Sequence, residues 1–272
     1  MRKPIKQPYN SQPTGTKNRF GRSRLGGGFS AKNSNARIVS APGSSSTPPN
    51  APQRPDKNLG LNSERMRQHL IKRLESDGNF DGRVLQAMAQ VPRHEFVDQG
   101  LASRAYEEAA LPIGFGQTIS SPWVVARMIS AVIENKQPTK VLEVGGGCGY
   151  QAAVLAHIVP QVFAVERIRG LYEQAKQRLA RLTLPNPIRF IHGDGMAGYP
   201  EAAPFDAIIV AAAGLRIPDA LLQQLAIGGR LIAPEGDRLQ RLVLIERQGT
   251  GRWHRTELEG VRFVPLKAGV LG

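Results

Sequence analysis

Five short apolar runs, separated by segments long enough for helices, constrain this chain more than any other feature. They are KVLEV (140–144), QVFAVE (161–166), IRFIHGD (188–194), FDAIIVAAA (205–213) and GRLIAPEG (229–236). Runs that are apolar at consecutive positions belong to strands buried on both faces. Strands of that kind, alternating with helices, build a parallel sheet covered on either side. The expected fold is therefore α/β, with a doubly wound, mostly parallel sheet. RLVLIER (241–247) and VRFVPL (261–266) follow with no helix pattern between them, so antiparallel strands are expected to close the sheet.

Two helices are expected ahead of the sheet, as an N-terminal helical subdomain or lid. Ser63 is placed to cap a helix carrying Met66, Leu70, Ile71 and Leu74 on one stripe, ended by SDGNFDG. The second follows Asp81, carries Val84, Leu85, Met88 and Val91, and stops at Pro92. Residues 1–58 differ in kind. They are rich in Ser, Asn, Gly and Pro with no helical or strand period, and are expected to be a disordered, basic, low-complexity extension to a domain over 59–272.

Charge follows the same division. The chain carries a net +14, and residues 1–57 hold eleven lysines and arginines against one acid, Asp56, for a net +10. A uniformly basic surface would point to nucleic acid, whereas a basic tail supports only weak, non-specific contact with RNA or anionic surfaces. A solvated extension without a partner is the simpler reading. An organelle transit peptide ranks third, because eight prolines and the triple glycine at 26–28 oppose an amphipathic helix.

One cysteine, Cys148, rules out an intramolecular disulfide, and no run of about 18 apolar residues is present to cross a bilayer. A cytoplasmic monomer with no membrane association is expected. The five histidines, His69, His94, His157, His192 and His254, show no metal-ligand spacing with one another or with Cys148, so no metal is expected.

Candidate site residues sit at successive strand ends. After KVLEV comes GGGCGY, with Gly145, Gly147 and Gly149 spaced two apart and Glu143 inside the strand. The first strand-to-helix turn of a doubly wound sheet lies closest to its ligand. A dinucleotide fingerprint starting at Gly145 would require glycine at 150, where Tyr150 stands. The loop thus suits a nucleoside-type ligand better than the pyrophosphate of NAD. Glu166, at the end of the second strand, is placed to accept hydrogen bonds from ribose hydroxyls. Asp194, at the end of the third, can meet an adenine amino group, with Gly195 allowing close approach. Each acid alone reads more readily as a surface residue. The glycine loop, Glu166 and Asp194, at three successive strand ends, together reverse that reading.

The constellation resembles a Rossmann-like, class I S-adenosylmethionine-dependent methyltransferase. GQTISSPWVVARM, VLEVGGGCGYQAAVLA, VFAVERI, HGDG, APFDAIIVAAA, QLAIGGRLIAPEG and VRFVPL together resemble the protein-L-isoaspartate O-methyltransferase family, over residues 62–270. The extension has no counterpart in the usual family pattern. Gly146 and Cys148 stand where the family usually has Thr and a small residue such as Ser, and Ala211 and Gly214 stand where Thr and Pro are common. The first pair is expected to leave cofactor binding intact, and the second bears on peptide fit.

The resemblance implies methyl transfer from S-adenosyl-L-methionine to the α-carboxylate of L-isoaspartyl residues in damaged proteins and peptides, which begins their repair. It marks Ser120 as catalytic, through a hydroxyl that orients the acceptor carboxylate, and places Gln117 and Thr118 in the same loop. On local sequence alone, Ser120 or Ser121 before Pro122 reads first as a helix N-cap. Val261, Phe263 and Val264 could grip an extended peptide through main chain, or simply form a closing strand. Two other functions remain open at this point: a class I methyltransferase with another acceptor, and an RNA-binding protein on a degenerate methyltransferase scaffold.

Overall fold

The computed structural model describes residues 57–78 and 80–272. The extension expected over 1–58 lies outside these residues, apart from its last two positions. The described chain opens with helix α1 (Lys57–Asp77), followed by α2 (Gly82–Gln90). Ser63 is not an N-cap, because α1 begins six residues earlier and Ser63 is a buried residue within it. Met66 also departs from the expected stripe. It is 43% exposed, while Leu70, Ile71 and Leu74 are buried. Asp81 caps α2 as expected, its carboxylate accepting from the Arg83 amide at 3.0 Å.

A hairpin that hydrophobic patterning does not reveal comes next, β1 (Leu111–Gly114) against β2 (Gln117–Ile119), leading into α3 (Pro122–Ile133). The alternating units are β3 (Lys140–Val144), α4 (Tyr150–Ala156), β4 (Gln161–Glu166), α5 (Arg169–Leu179), β5 (Ile188–His192), β6 (Phe205–Val210), α6 (Asp219–Gln223) and β7 (Leu225–Gly236). Two long strands finish the sheet, β8 (Gln240–Gly249) and β9 (Arg252–Val261).

The seven-stranded sheet has the order β5-β4-β3-β6-β7-β8-β9, parallel from β5 to β7 and antiparallel beyond. Consecutive residues of the parallel strands feed opposite cores. Val141, Val162 and Ile209 join the apolar cluster beneath α1–α4, while Leu142, Phe163 and Ile208 join the cluster with Phe205, Leu221 and Leu225. This two-sided burial explains why the strands read as unbroken apolar runs. The N-terminal helices share the first core, with Leu74, Val84 and Met88 in one cluster with Ile129 and Val154.

One strand differs from expectation. The last strand is RWHRTELEGV, and VRFVPL leaves the sheet after Val261. The polar residues of β9 hide it from a hydrophobic reading, as an edge strand has one ladder side and little to bury. Residues 262–266 run on as an extended segment. It is pinned to Ala213, whose amide donates to the Val264 carbonyl at 2.8 Å and whose carbonyl accepts from the Leu266 amide at 2.7 Å.

Candidate active site

Strand order reverses between β3 and β6, and ligands of doubly wound sheets sit at such a switch point, beyond the strand carboxyl ends. Here the glycine loop follows β3. Gly145, Gly147 and Gly149 all have positive φ (86°, 53° and 88°), a conformation glycine adopts without the Cβ clash. The loop is held by backbone bonds, with the Gly145 and Gly146 amides donating to the Val165 carbonyl at 2.9 and 3.1 Å. Gly146 has a steric reason of its own. A Cβ there would lie 2.7 Å from the Phe190 ring. Gly214 is likewise built in, since its amide donates to the Pro234 carbonyl at 3.3 Å, which proline could not do.

Glu166 ends β4, buried, as the sequence places it. Its carboxylate already accepts two backbone amides, from Gly147 at 2.9 Å and Ile168 at 2.8 Å. A carboxylate has about four acceptor positions, so the bonds that shape the glycine loop leave capacity for ligand hydroxyls. Asp194 follows β5, and its oxygens accept from the Met196 amide at 2.9 Å and the Gly269 amide at 2.8 Å, bonds that tie down the C-terminal segment and, as at Glu166, leave acceptor positions open; its neighbour Gly195 lines the cleft.

Three cavities meet here. The largest, about 360 Å³, runs over Gly145, Gly147, Glu166 and Gly195 and is flanked by Phe115, Gln117 and Leu271. A small one of about 40 Å³ lies at Glu143, Gly146, Cys148 and Ser120. The third, about 230 Å³, is lined by Ser120, Ser121, Arg262, Phe263 and Val264. Thr118 and Ala211 border all three. Among the expected substrate residues, Gln117, Thr118, Phe263 and Val264 therefore gather at these cavities, while Val261 lines none of them and ends β9. The main chain of Phe263 is engaged internally, its amide donating to Gln240 Oε1 at 2.6 Å.

Glu143 is buried and only half paired. It is 1% exposed; Oε1 accepts from the Gln151 side chain at 3.2 Å, and Oε2 is buried without a partner. Burial, reinforced by the nearby Glu166 charge, pushes its carboxyl well above the usual range, against a smaller lowering by Gln151. A buried carboxylate oxygen left open is complementary to a cationic or hydrogen-bond-donating ligand.

The competing role for the serines is resolved by a residue the sequence reading missed. Ser121 occupies the N-cap position of α3 but makes no side-chain cap bond. The Trp123 amide instead donates to Glu108 Oε1 at 2.9 Å, from a loop fifteen positions upstream. Arg93, fully buried, donates from Nη2 to the Ser120 carbonyl at 2.6 Å and from Nε to the Ala105 carbonyl at 2.8 Å, with its guanidinium 4.8 Å from the Tyr150 ring centre. Neither contact has a local sequence signature.

A doubly wound sheet with a left-handed glycine loop at its switch point, an acid at the next strand end and an adjoining second cavity defines a nucleoside-dependent transferase of the methyltransferase class. The family model for Protein-L-isoaspartate(D-aspartate) O-methyltransferase matches residues 64–270, and the chain belongs to this family. A Protein-L-isoaspartate O-methyltransferase of Bordetella petrii is 60% identical over 270 residues, covering 99% of each chain. One from Burkholderia ambifaria is 56% identical over 216 residues, covering 78% of this chain and 69% of its own. The alignment with the Bordetella protein reaches well into residues 1–58, so the extension does have a counterpart in that relative. A solved protein-L-isoaspartate O-methyltransferase superposes with a TM-score of 0.67 at 30% identity, over 75% of this chain and 67% of that one. A Plasmodium falciparum structure named for the same activity, in complex with S-adenosyl-L-homocysteine, gives 0.63 at 26% identity, over 74% and 98%.

Proposed function

We infer that this protein transfers a methyl group from S-adenosyl-L-methionine to the α-carboxylate of L-isoaspartyl residues in proteins and peptides. The observation that carries this reading is the meeting of a nucleoside-sized cleft and a second cavity at Thr118 and Ala211, with Ser120 in the wall of the second, in a chain of this family. The residues fit the cofactor. The unpartnered Glu143 Oε2 complements the ammonium of its amino-acid end, and Glu166 retains acceptor capacity for ribose hydroxyls. When bound, S-adenosylmethionine supplies an electrophilic methyl on a sulfonium.

The acceptor carboxylate is ionised near neutral pH and is itself the nucleophile, so the protein has no strong base to provide. Its task is placement, which is worth up to about 7–11 kcal/mol in well-oriented intramolecular cases. In this reading Ser120 donates a hydrogen bond to one carboxylate oxygen and turns the other toward the methyl, while Phe263 and Val264 flank the peptide. In this reading the working unit is a monomer. Residues 59–272 are read as the catalytic domain.

The test uses labelled S-adenosylmethionine with an isoaspartyl peptide and with the same peptide carrying an amide in place of its isoaspartyl α-carboxylate. Label on the first alone is expected. Label on both would place the methyl elsewhere and overturn the assignment.

A further inference from the structure

We infer that Glu108 is a positioning residue for the methyl transfer: it fixes the N-terminus of α3 and, with Arg93 as the opposite anchor, sets where Ser120 stands in the acceptor cavity. The inference rests on the proposed role of Ser120. The segment Ser120–Trp123 is gripped at both ends by side chains distant in sequence, Arg93 from a short 3-10 turn (Arg93–Phe96) and Glu108 from a loop. Arg93 holds the Ser120 carbonyl at 2.6 Å, and Glu108 holds the Trp123 amide at 2.9 Å.

Between these two points the Ser121 carbonyl accepts the Val125 amide at 3.2 Å and Pro122 is buried, but among the described residues no further side-chain bond is made to the segment. Pro122 has no amide to donate, and the Ser121 side chain makes no cap bond. The anchors differ in character. Arg93 is fully buried and also holds Ala105, so its loss would disturb the fold. Glu108 has a side chain 38% exposed, a weak ion pair to Arg73 at 3.7 Å, and a place in the wall of the same cavity as Ser120. It is therefore the anchor that can be removed cleanly. A shift of about 1 Å in a reacting group can cost on the order of a hundredfold in rate, so a loosened segment should be read in turnover.

The experiment compares Glu108→Ala, Glu108→Gln, Ser120→Ala and the double variant Glu108→Ala/Ser120→Ala. It measures kcat and KM for an isoaspartyl peptide, S-adenosylhomocysteine affinity by calorimetry, peptide affinity in the presence of S-adenosylhomocysteine, and Tm. Glu108→Ala should lower kcat by about tenfold or more, with the affinity for S-adenosylhomocysteine unchanged. Glu108→Gln keeps an acceptor for the Trp123 amide and should hold kcat within about fivefold of the parent. In the Ser120→Ala background, Glu108→Ala should cost nothing further in kcat, because both changes remove one interaction.

Unchanged turnover in Glu108→Ala overturns the inference. So does a full additional loss in the double variant, which would mean that Glu108 acts on the peptide directly. If Ser120→Ala alone keeps full turnover, the role of Ser120 falls first and this inference falls with it. A drop in Tm accompanied by proportionate loss of both affinities would assign Glu108 to the fold alone.

Discussion

At the scale of single residues, two buried carboxylates do different work. Glu143 has a raised pKa, so it is held more easily as the neutral acid in the fold than in the unfolded chain. Its stabilising contribution is complete below its ordinary value of 4.5 and is lost as pH rises through the higher folded value. Glu143→Gln keeps an acceptor for Gln151 and removes the ionisation. The cofactor-free variant should therefore melt above the parent at neutral pH, by roughly 2–4 °C for each kcal/mol relieved, with the gap closing toward pH 4.5 in calorimetric scans. Its affinity for S-adenosylmethionine should fall. Glu166→Ala is expected to lose cofactor affinity by about tenfold or more and also to lower Tm, since the Gly147 and Ile168 amides lose their acceptor. The first effect was legible in the sequence, from an acid at the end of a strand. The second was not, because a side chain folding back on a glycine nineteen positions earlier leaves no periodic trace.

Among elements, α3 shows how local reading can mislead. A serine before proline is a sound N-cap signal, yet Glu108 supplies the cap bond from another loop, leaving Ser120 at the cavity. Ser121→Ala should accordingly lower stability by well under the roughly 0.5–2 kcal/mol of a lost cap, with Tm nearly unchanged. Ser120→Ala should be similarly mild in melting but should strongly reduce kcat/KM for the isoaspartyl peptide at constant cofactor affinity. A several-degree fall in Tm with full turnover would return Ser120 to the helix. The parallel strands were legible because both faces are buried. The β1–β2 hairpin is too short, and β9 too polar, for their hydrophobic patterns to be read. Residues 262–266 looked like a strand because they are apolar; the structure uses them to wall the acceptor cavity and to pair with Ala213.

At the scale of the whole molecule, the doubly wound topology brings residues far apart in sequence to one point. Gly145 and Ala211, on loops after β3 and β6, are in contact, with a Cβ at Gly145 lying 3.6 Å from that of Ala211. The hairpin then carries Thr118 and Ser120 over this junction, and the segment after β9 closes the far side. Motif order revealed the strand ends that face the ligand. The bonds that Glu108, Arg93 and Asp194 make were hidden, since each reaches main chain remote in sequence. The most direct measurement is the initial rate of methyl transfer to two peptides of one sequence, differing only in an isoaspartyl or an aspartyl linkage at one position. Rapid transfer to the isoaspartyl peptide with none above background to its aspartyl partner is the expected result. Equal rates on the two, or transfer to the aspartyl peptide alone, would contradict it.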